Sequence, residues 1–524
     1  MSELPVQLLV LFGACAAGGL SPFLLSSASV PLKRWGLGLL CFAVSASAAV
    51  LLLPEGGESG RWYGMPAERV AKIRGIVKED LKPGRGSRES VVVDLREVES
   101  AGGTRTGAAG ALLIFTESQK GGKDTLLRRG AEVYGPVHIE PSHTEGERAG
   151  YGYADGRLEI RGWRSPLEKL RARGLAYVHT RIRSAGHRSS GLLSALLLGV
   201  RGPESVGTFE LFRRAGAVHL LALSGMHLGF LFLIFAGIFM PLLGKRPGLV
   251  LTLAAIVFYL LFVGPRPSLV RAVLMSGAGI LWTLVSVRKI DPFRLLVCAF
   301  ILQSAFMTES AYTLSFGLSY LALFGILGFS RGVERRLPWI LPPGVRTVCA
   351  AGISAQAFSA PLLLSMFGEV YPVGVVSSVV LTPMVLLLMG GGIAYLLWSA
   401  GGVFFPGELY ILADRTFRNI LSAAVWAIEE TAAYLSRAPS LRFPGDEGRG
   451  AALLWIVLLT LIVLLHYGGI ILAIDRRKNA ETEESRFTRR ITPVSGRGGA
   501  GTVAPIWSEL PHKPEGSEQN RKIA

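Results

Sequence analysis

Long stretches without a charged residue constrain this chain more than any other feature of its sequence. Apolar runs near or above the length of a membrane-crossing helix, about 20 residues, recur along its 524 residues. Only 18% of the residues are charged, against about 25% in soluble domains. The sequence therefore predicts a protein that crosses the bilayer many times, and it excludes a soluble enzyme, a fibrous protein and a disordered chain. The apolar runs include 4–32, 215–244, 247–265, 310–330, 347–368 and 451–474.

Charge and composition divide the chain into five segments. The first carries two apolar runs joined by Lys33-Arg34, which predicts a transmembrane hairpin with its basic turn in the cytoplasm. Both ends of the hairpin, including the N-terminus, and the segment that follows are then expected outside the cytoplasm. The expected segments are an N-terminal transmembrane hairpin (1–57), an extracytoplasmic β-rich domain (58–165), amphipathic or interfacial helices (166–200), the main transmembrane domain (201–474) and a disordered cytoplasmic tail (475–524).

Short strand-like stretches separated by glycine-rich turns characterise the second segment. Their number predicts a small β-barrel or β-sandwich. A barrel of the oligonucleotide-binding (OB) type fits this number of strands, and so do other small β folds. The near balance of basic and acidic residues argues against strong nonspecific DNA binding by this segment alone. The expected strands are Val70–Val77, Ser90–Val98, Ala111–Thr116, Glu132–Ile139 and Arg157–Trp163.

Basic loops set the expected topology of the main transmembrane domain. The net charge of +17 lies mainly around the apolar runs, which indicates either positive-inside topology with anionic lipid contacts or a basic path for a polyanion. Loop alternation predicts roughly nine to eleven spans, including one between 396 and 450 for which 419–436 is a candidate. The expected fold class is a polytopic α-helical membrane protein with a small extracytoplasmic β-barrel-like (OB-like) domain.

Polar residues interrupt the apolar run at 215–244. His219 and His227 lie eight residues apart, about 2.2 helical turns, and bracket Ser224 and Gly225. Polar side chains at bilayer depth are costly and by default mark a pathway or a functional site. The four cysteines form no CxxC pair and the eight histidines form no HxHxDH cluster, so the sequence predicts no metal site and no cofactor.

Further motifs follow in order along the chain. Together they resemble the motifs of the ComEC-type competence proteins, which are inner-membrane channels for incoming DNA, over residues 190–395. The β-rich segment resembles that family only in position and character. The motif segments are Leu192–Arg201, residues 213–230, Gly264–Met275, Asp291-Pro292 with Leu314–Ser319, and Gln356 through Thr382-Pro383.

The resemblance implies a channel component, and not an enzyme, for uptake of single-stranded DNA across the bacterial cytoplasmic membrane during natural transformation. It also implies a form without the C-terminal metallo-β-lactamase-like domain of many members, since the histidine cluster of that domain is absent. The implied partners are single-stranded DNA and membrane lipid. A separate DNA receptor, a nuclease, a cytoplasmic motor, a single-strand-binding protein and a second copy of the chain are further candidate partners.

Ten residues are candidates for the DNA path. The expected cationic funnel consists of Arg213, Arg214, Arg266 and Arg271. The other candidates are His219, Ser224, Gly225, His227, Ser315 and Gln356. Each also has a structural alternative, such as snorkelling of an arginine to the interface or hydrogen bonding between helices by a histidine.

Two other functions stay open from the sequence. An intramembrane hydrolase would use Ser224 as nucleophile with His219 or His227 as base, although no acidic residue nearby is evident to orient the base. A transporter of a small anionic solute or lipid is the second alternative, and the absence of a visible inverted repeat weakens it.

Overall fold

The structure separates into a β domain and a helical bundle along the chain. The computed structural model describes residues 62–63, 70–78, 82–83, 88–117, 128–141, 150–155, 158–200, 205–286, 290–307, 313–401, 408–443, 447–459 and 461. The predicted N-terminal hairpin and the predicted cytoplasmic tail lie outside these residues.

Nine described strands form the β domain, and the first long one has the bounds that the sequence predicts. The strands are β1 (Trp62–Tyr63), β2 (Val70–Val77), β3 (Lys82–Pro83), β4 (Arg88–Ser100), β5 (Arg105–Gly107), β6 (Ala109–Glu117), β7 (Ala131–Pro141), β8 (Gly150–Ala154) and β9 (Glu159–Trp163).

Five of these strands close into a ring. β2 pairs with β4 and β7, β4 pairs with β6, and β8 pairs with β7, all antiparallel. β8 also pairs with β6 in parallel, with Leu113 opposite Tyr151, and this pairing completes the ring. Side chains alternate across each strand, and the inward-facing Ile73, Val93 and Ile114 are fully buried. The barrel-like architecture is therefore confirmed, while assignment to the OB type stays a prediction.

One strand of the ring has no clear sequence signal. β8 reads Gly-Tyr-Gly-Tyr-Ala, and glycine is depleted in strands because it weakens them. The predicted strand at 157–163 is β9, which pairs with β7 over Ala131–Tyr134. β8 pairs with a later part of β7, Val137–Pro141. The two short strands therefore pair with successive parts of β7.

The remaining described chain is helical apart from a two-stranded clip. The helices are α1 (Pro166–Ser184), α2 (His187–Leu198), α3 (Val206–Arg214), α4 (Gly225–Leu243), α5 (Lys245–Val263), α6 (Pro267–Val285), α7 (Pro292–Phe306), α8 (Leu314–Glu334), α9 (Pro343–Phe367), α10 (Gly374–Gly401), α11 (Glu408–Leu435) and α12 (447–459). A 3-10 turn, Val218–Leu220, precedes α4, and the clip pairs β10 (Glu369–Val370) with β11 (Leu441–Arg442).

Six of the described helices are long and apolar enough to cross a membrane. They are α4 together with the turn before it, α5, α6, α8, α9 and α10. α7 is apolar too, but it has only 15 residues. The polytopic helical class is therefore confirmed, and the predicted number of spans stays a prediction.

Helix α11 returns the chain along α10. It has 28 residues, which corresponds to about 42 Å of helix, and it packs against α10. The clip pairs Glu369 with Arg442, so the chain beyond α11 lies beside the residues that lead into α10. We call this end of the bundle the Glu369 end. α11 is not among the described helices that are apolar enough to cross a membrane, so the further crossing expected between 396 and 450 stays a prediction.

The two helices after the barrel differ in their surroundings. On α1, Leu175 and Ile182 are buried whereas Leu167 is 75% exposed, as expected for an amphipathic helix. Arg171 holds α1 against the end of α5, since its Nε and Nη2 donate to the carbonyl oxygens of Phe262 and Val263 at 2.8 Å. α2 is buried from Ser189 to Leu198, where its residues are apolar or small on every side, whereas His187 and Arg188 at its start are exposed. Its placement at the membrane interface stays a prediction.

Candidate functional site

The motif segments, which are far apart in the sequence, meet in the bundle. Nη2 of Arg266 donates to the carbonyl oxygen of Gly199 at 2.7 Å, which joins the start of α6 to the end of α2. Oγ of Ser268 donates to the carbonyl oxygen of Leu223 at 2.7 Å, which joins α6 to the segment before α4. Three of the motif segments are thus linked through the first turn of α6.

Arg271 is the most deeply buried member of the predicted cationic funnel. It lies on α6, is 9% exposed, and donates from Nη1 to the carbonyl oxygen of Ser319 on α8. Its guanidinium carbon lies 5.7 Å from the ring centroid of Tyr320, within the range of a cation–π interaction. A Cβ at Gly225 would lie 3.1 Å from Nη2 of Arg271, so the motif glycine leaves room for the guanidinium.

His219 and Gln356 both contact the residues around the start of α10. Nε2 of His219 lies 3.4 Å from Oγ of Ser378. Nε2 of Gln356 donates to the carbonyl oxygen of Tyr371 at 2.6 Å. The motif segment 213–230 and the last motif segment therefore meet at the Glu369 end.

A glycine pair allows this meeting. Gly216 has a φ of +68°, and a Cβ there would lie 2.8 Å from Cα of Gly374. A Cβ at Gly374 would in turn lie 2.8 Å from the carbonyl oxygen of Gly216. The two backbones touch, so neither position has space for a side chain without movement.

Ser224 and His227 form the beginning of α4. Ser224 is the N-cap residue, and its N–H donates to Nδ1 of His227 at 3.3 Å, as a backbone donor does in a capping box. Oγ of Ser224 lies 3.1 Å from the same nitrogen. His227 is fully buried, and its Nε2 has no hydrogen-bond partner within the described part of the chain. Among the residues that the structure describes, no carboxylate therefore orients this histidine as it would the base of a hydrolytic triad.

Arg213 and Arg214 belong to an ion-pair cluster at the Glu369 end. Both donate to Glu210 at 2.8 Å, and Arg213 also donates to Glu369 at 2.8 Å. These hydrogen bonds, from Arg213 first, lower the pKa of Glu210 to about 2. The hydroxyl of Tyr371 and then Arg213 lower the pKa of Glu369 by hydrogen bonding to its carboxylate. The charges of this part of the predicted funnel are thus largely paired.

The ten candidates fall into two groups and one outlier. At the Glu369 end lie Arg213, Arg214, His219 and Gln356. Around the first turns of α4 and α6 lie Ser224, Gly225, His227, Arg266 and Arg271. Ser315 is exposed at the start of α8. The pathway role of each candidate stays a prediction.

Two buried polar residues beside Arg271 are not among the ten candidates that the sequence suggests. Gln303 is 1% exposed and Tyr320 is 3% exposed, and the hydroxyl of Tyr320 donates to Oε1 of Gln303 at 2.9 Å. The signal that would have found Gln303 is a polar side chain within an apolar helix.

A metal centre is not evident among the described residues. No group of three histidine, cysteine, aspartate or glutamate residues that could hold a metal ion occurs in the described ranges. One small cavity between α2, α3 and Leu221 has a volume of about 10 Å³, on the order of the space for one water molecule.

The barrel and the six apolar helices define the class of a multi-pass membrane protein with a helical bundle and a β domain. Residues 196–468, just over half of the chain, match the family model described as "Competence protein". The chain therefore belongs to the Competence protein family, which agrees with the ComEC-type resemblance of its motifs. The matched Competence domain is not an enzyme domain.

Two curated proteins are similar to parts of the chain. "ComE operon protein 3" of Bacillus subtilis (strain 168) is 27% identical over 252 residues, which is 46% of this chain and 31% of that protein. An "Uncharacterized protein" of Aquifex aeolicus (strain VF5) is 32% identical over 208 residues, which is 39% of this chain and 46% of that protein. The matched regions thus span less than half the length of either relative. No solved structure matches the chain significantly.

Proposed function

We propose that this chain forms the membrane-embedded part of a path by which single-stranded DNA crosses the bacterial cytoplasmic membrane during natural transformation. Membership of the Competence protein family supports DNA uptake as the process. The N-terminus and the β domain would face outwards and the C-terminus the cytoplasm, as the basic loops favour.

The chemistry of the cargo explains why buried cations matter. Each nucleotide of a DNA strand carries a negative phosphate, which the hydrocarbon core rejects. A path through the membrane must therefore supply water, positive charge and surfaces that tolerate any base. Burying an arginine in an apolar helix costs free energy. Its presence there therefore marks a functional site by default.

One observation carries the proposal. The guanidinium of Arg271 lies among the converging motif segments, bonded to the carbonyl oxygen of Ser319 and adjacent to Gly225. No carboxylate among the described residues pairs with it, and its Nε has no hydrogen-bond partner among them. It is a positive group that a passing phosphate would neutralise.

The proposal is tested by deleting the gene in the native host. Transformation by added DNA should be abolished, whereas DNA binding at the cell surface should persist. Complementation with Arg271→Lys should restore part of the transformation, and Arg271→Gln should restore very little. The control is Arg246→Gln at the start of α5, which should restore transformation fully. Normal transformation in the deletion strain would refute the proposal.

A transporter of a small anionic solute is the second candidate function. The buried, unneutralised guanidinium of Arg271 favours it as well, since a small anion needs less space than a nucleotide. Flux into vesicles that contain the purified protein separates the two functions: an oligonucleotide enters if the DNA path is right, and only small anions enter if it is not.

A further inference from the structure

A hydrogen-bonded chain joins three helices next to Arg271. Nε2 of Gln303 on α7 donates to the carbonyl oxygen of Pro267, in the first turn of α6, at 3.1 Å. Oε1 of the same amide accepts from the hydroxyl of Tyr320 on α8 at 2.9 Å. Both ends of the amide are therefore engaged, and its orientation is fixed by two different helices.

The chain closes on Arg271. The ring of Tyr320 faces the guanidinium at 5.7 Å, and Arg271 donates to the carbonyl oxygen of the preceding residue, Ser319. Phe300 and Phe316 pack against the same ring, with centroids 5.2 Å and 4.6 Å from it. The ring cannot turn freely, so it holds the guanidinium in one direction.

The charge of this cluster is unbalanced. Gln303 and Tyr320 are neutral, and no carboxylate from the described residues of α4, α6, α7 or α8 pairs with Arg271. A buried cation without a counter-ion is costly, and an anion that reached the guanidinium would supply the missing counter-charge. The guanidinium presents planar donors that suit the two free oxygens of a phosphodiester.

We infer that Tyr320 and Gln303 are positioning residues that aim Arg271 at the phosphodiester backbone of the passing strand. This inference rests on the proposed DNA path and adds to it the group that recognises the strand and the residues that hold that group. Recognition through the phosphate requires no particular base, as uptake of any sequence would demand.

The test measures flux of two probes into proteoliposomes that contain the full chain. One probe is a short phosphodiester oligonucleotide and the other is its uncharged methylphosphonate analogue. Tyr320→Phe removes the hydroxyl that bonds Gln303 and keeps the ring, whereas Gln303→Leu removes both hydrogen bonds. Tyr259→Phe is the matched control, because it likewise removes one hydrogen-bonding tyrosine hydroxyl, in this case one that donates to the backbone carbonyl oxygen of Leu197 at 2.9 Å.

We expect Tyr320→Phe and Gln303→Leu to lower the flux of the charged probe by about 3- to 10-fold, the size of one lost buried hydrogen bond, and to leave the uncharged probe unchanged. The unmodified protein should pass the charged probe faster than the uncharged one. Arg271→Gln should remove this difference and Arg271→Lys should recover part of it. Tyr259→Phe should alter neither flux. If Gln303→Leu does not fold, Tyr320→Phe decides.

Two results would overturn the inference. If the Tyr320 and Gln303 variants change both probes in the same proportion, or neither, the positioning role is wrong while the path stands. If the unmodified protein passes neither probe faster than protein-free liposomes, the proposed function fails and the inference fails with it.

Discussion

Nη1 of Arg213 donates to the carboxylate of Glu369 at 2.8 Å, although the two residues are 156 positions apart in the sequence. The ion pair joins the end of α3 to the clip strand β10. Arg442, on the opposite clip strand, lies 3.3 Å from the same carboxylate. A carboxylate between two arginines thus holds three separate parts of the chain together at the Glu369 end.

The ion-pair cluster predicts a pH dependence of stability. The usual carboxyl pKa of Glu210 is 4.5, and the folded protein lowers it to about 2. A lowered folded pKa stabilises the fold above the unfolded value and loses that contribution as pH falls towards the folded value. The unfolding temperature in detergent should therefore be steady above about pH 5 and decrease between about pH 4.5 and 2.

Glu210→Gln is the variant that isolates this effect, because it removes the titrating group and keeps the shape. Its unfolding temperature should be lower than that of the unmodified protein at pH 7, and the two should approach one another towards pH 2. An identical pH profile for both proteins would show that the cluster does not contribute. Both partners are partly exposed, so solvent screening keeps the effect modest.

The contact between Gly216 and Gly374 predicts that neither tolerates a side chain. Gly374→Ala should destabilise the protein by about 1–3 kcal/mol, because the new methyl group would meet the backbone of Gly216. Gly216→Ala should cost at least as much, since alanine is also strained at positive φ. The measurement is thermal unfolding in detergent.

Gly237→Ala is the control for the glycine pair. Gly237 lies within α4, where a Cβ would meet nothing within 4 Å, and alanine favours a helix by about 1 kcal/mol over glycine. This variant should unfold at the same temperature as the unmodified protein or higher. Equal losses in all three variants would contradict the role assigned to the contact.

The position of Ser224 at the N-cap of α4 predicts a structural role for this residue and not a catalytic one. Ser224→Ala should destabilise the protein by about 1 kcal/mol through loss of the cap side chain. A fluorophosphonate probe should label neither the unmodified protein nor the variant, because no carboxylate in the described ranges orients the imidazole of His227. Labelling of the unmodified protein that disappears in Ser224→Ala would revive the hydrolase.

The hydrogen bonds that hold α1 against α5 predict that only an arginine can serve at position 171. Arg171 donates to two successive carbonyl oxygens at the end of α5, and lysine cannot reproduce this forked geometry. Arg171→Lys and Arg171→Ala should both speed hydrogen exchange in α1 and at the end of α5, with a cost of about 1–3 kcal/mol. Arg173→Ala, an exposed residue of the same helix, should leave exchange unchanged.

Local patterns were sufficient for the elements whose surroundings are uniform. The alternation within Val70–Val77 places that strand without error, because a half-buried strand repeats every two residues. The strand Gly150–Ala154 was missed because its pairing with two other strands outweighs its weak intrinsic preference. The burial of α2 among other helices was not evident from the sequence, since a short apolar stretch does not show whether lipid or other helices surround it.

The membrane class, the β domain and the order of the motif segments follow from the amino-acid sequence alone, because bilayer thickness and strand alternation act on neighbouring residues. Which polar groups meet is set by the packing of the folded chain. Gln303 and Tyr320 join Arg271, and Glu369 joins Arg213, through contacts between residues far apart in the chain. Such pairings depend on how the helices pack, and the pattern of residues along the chain does not show which distant residues come into contact.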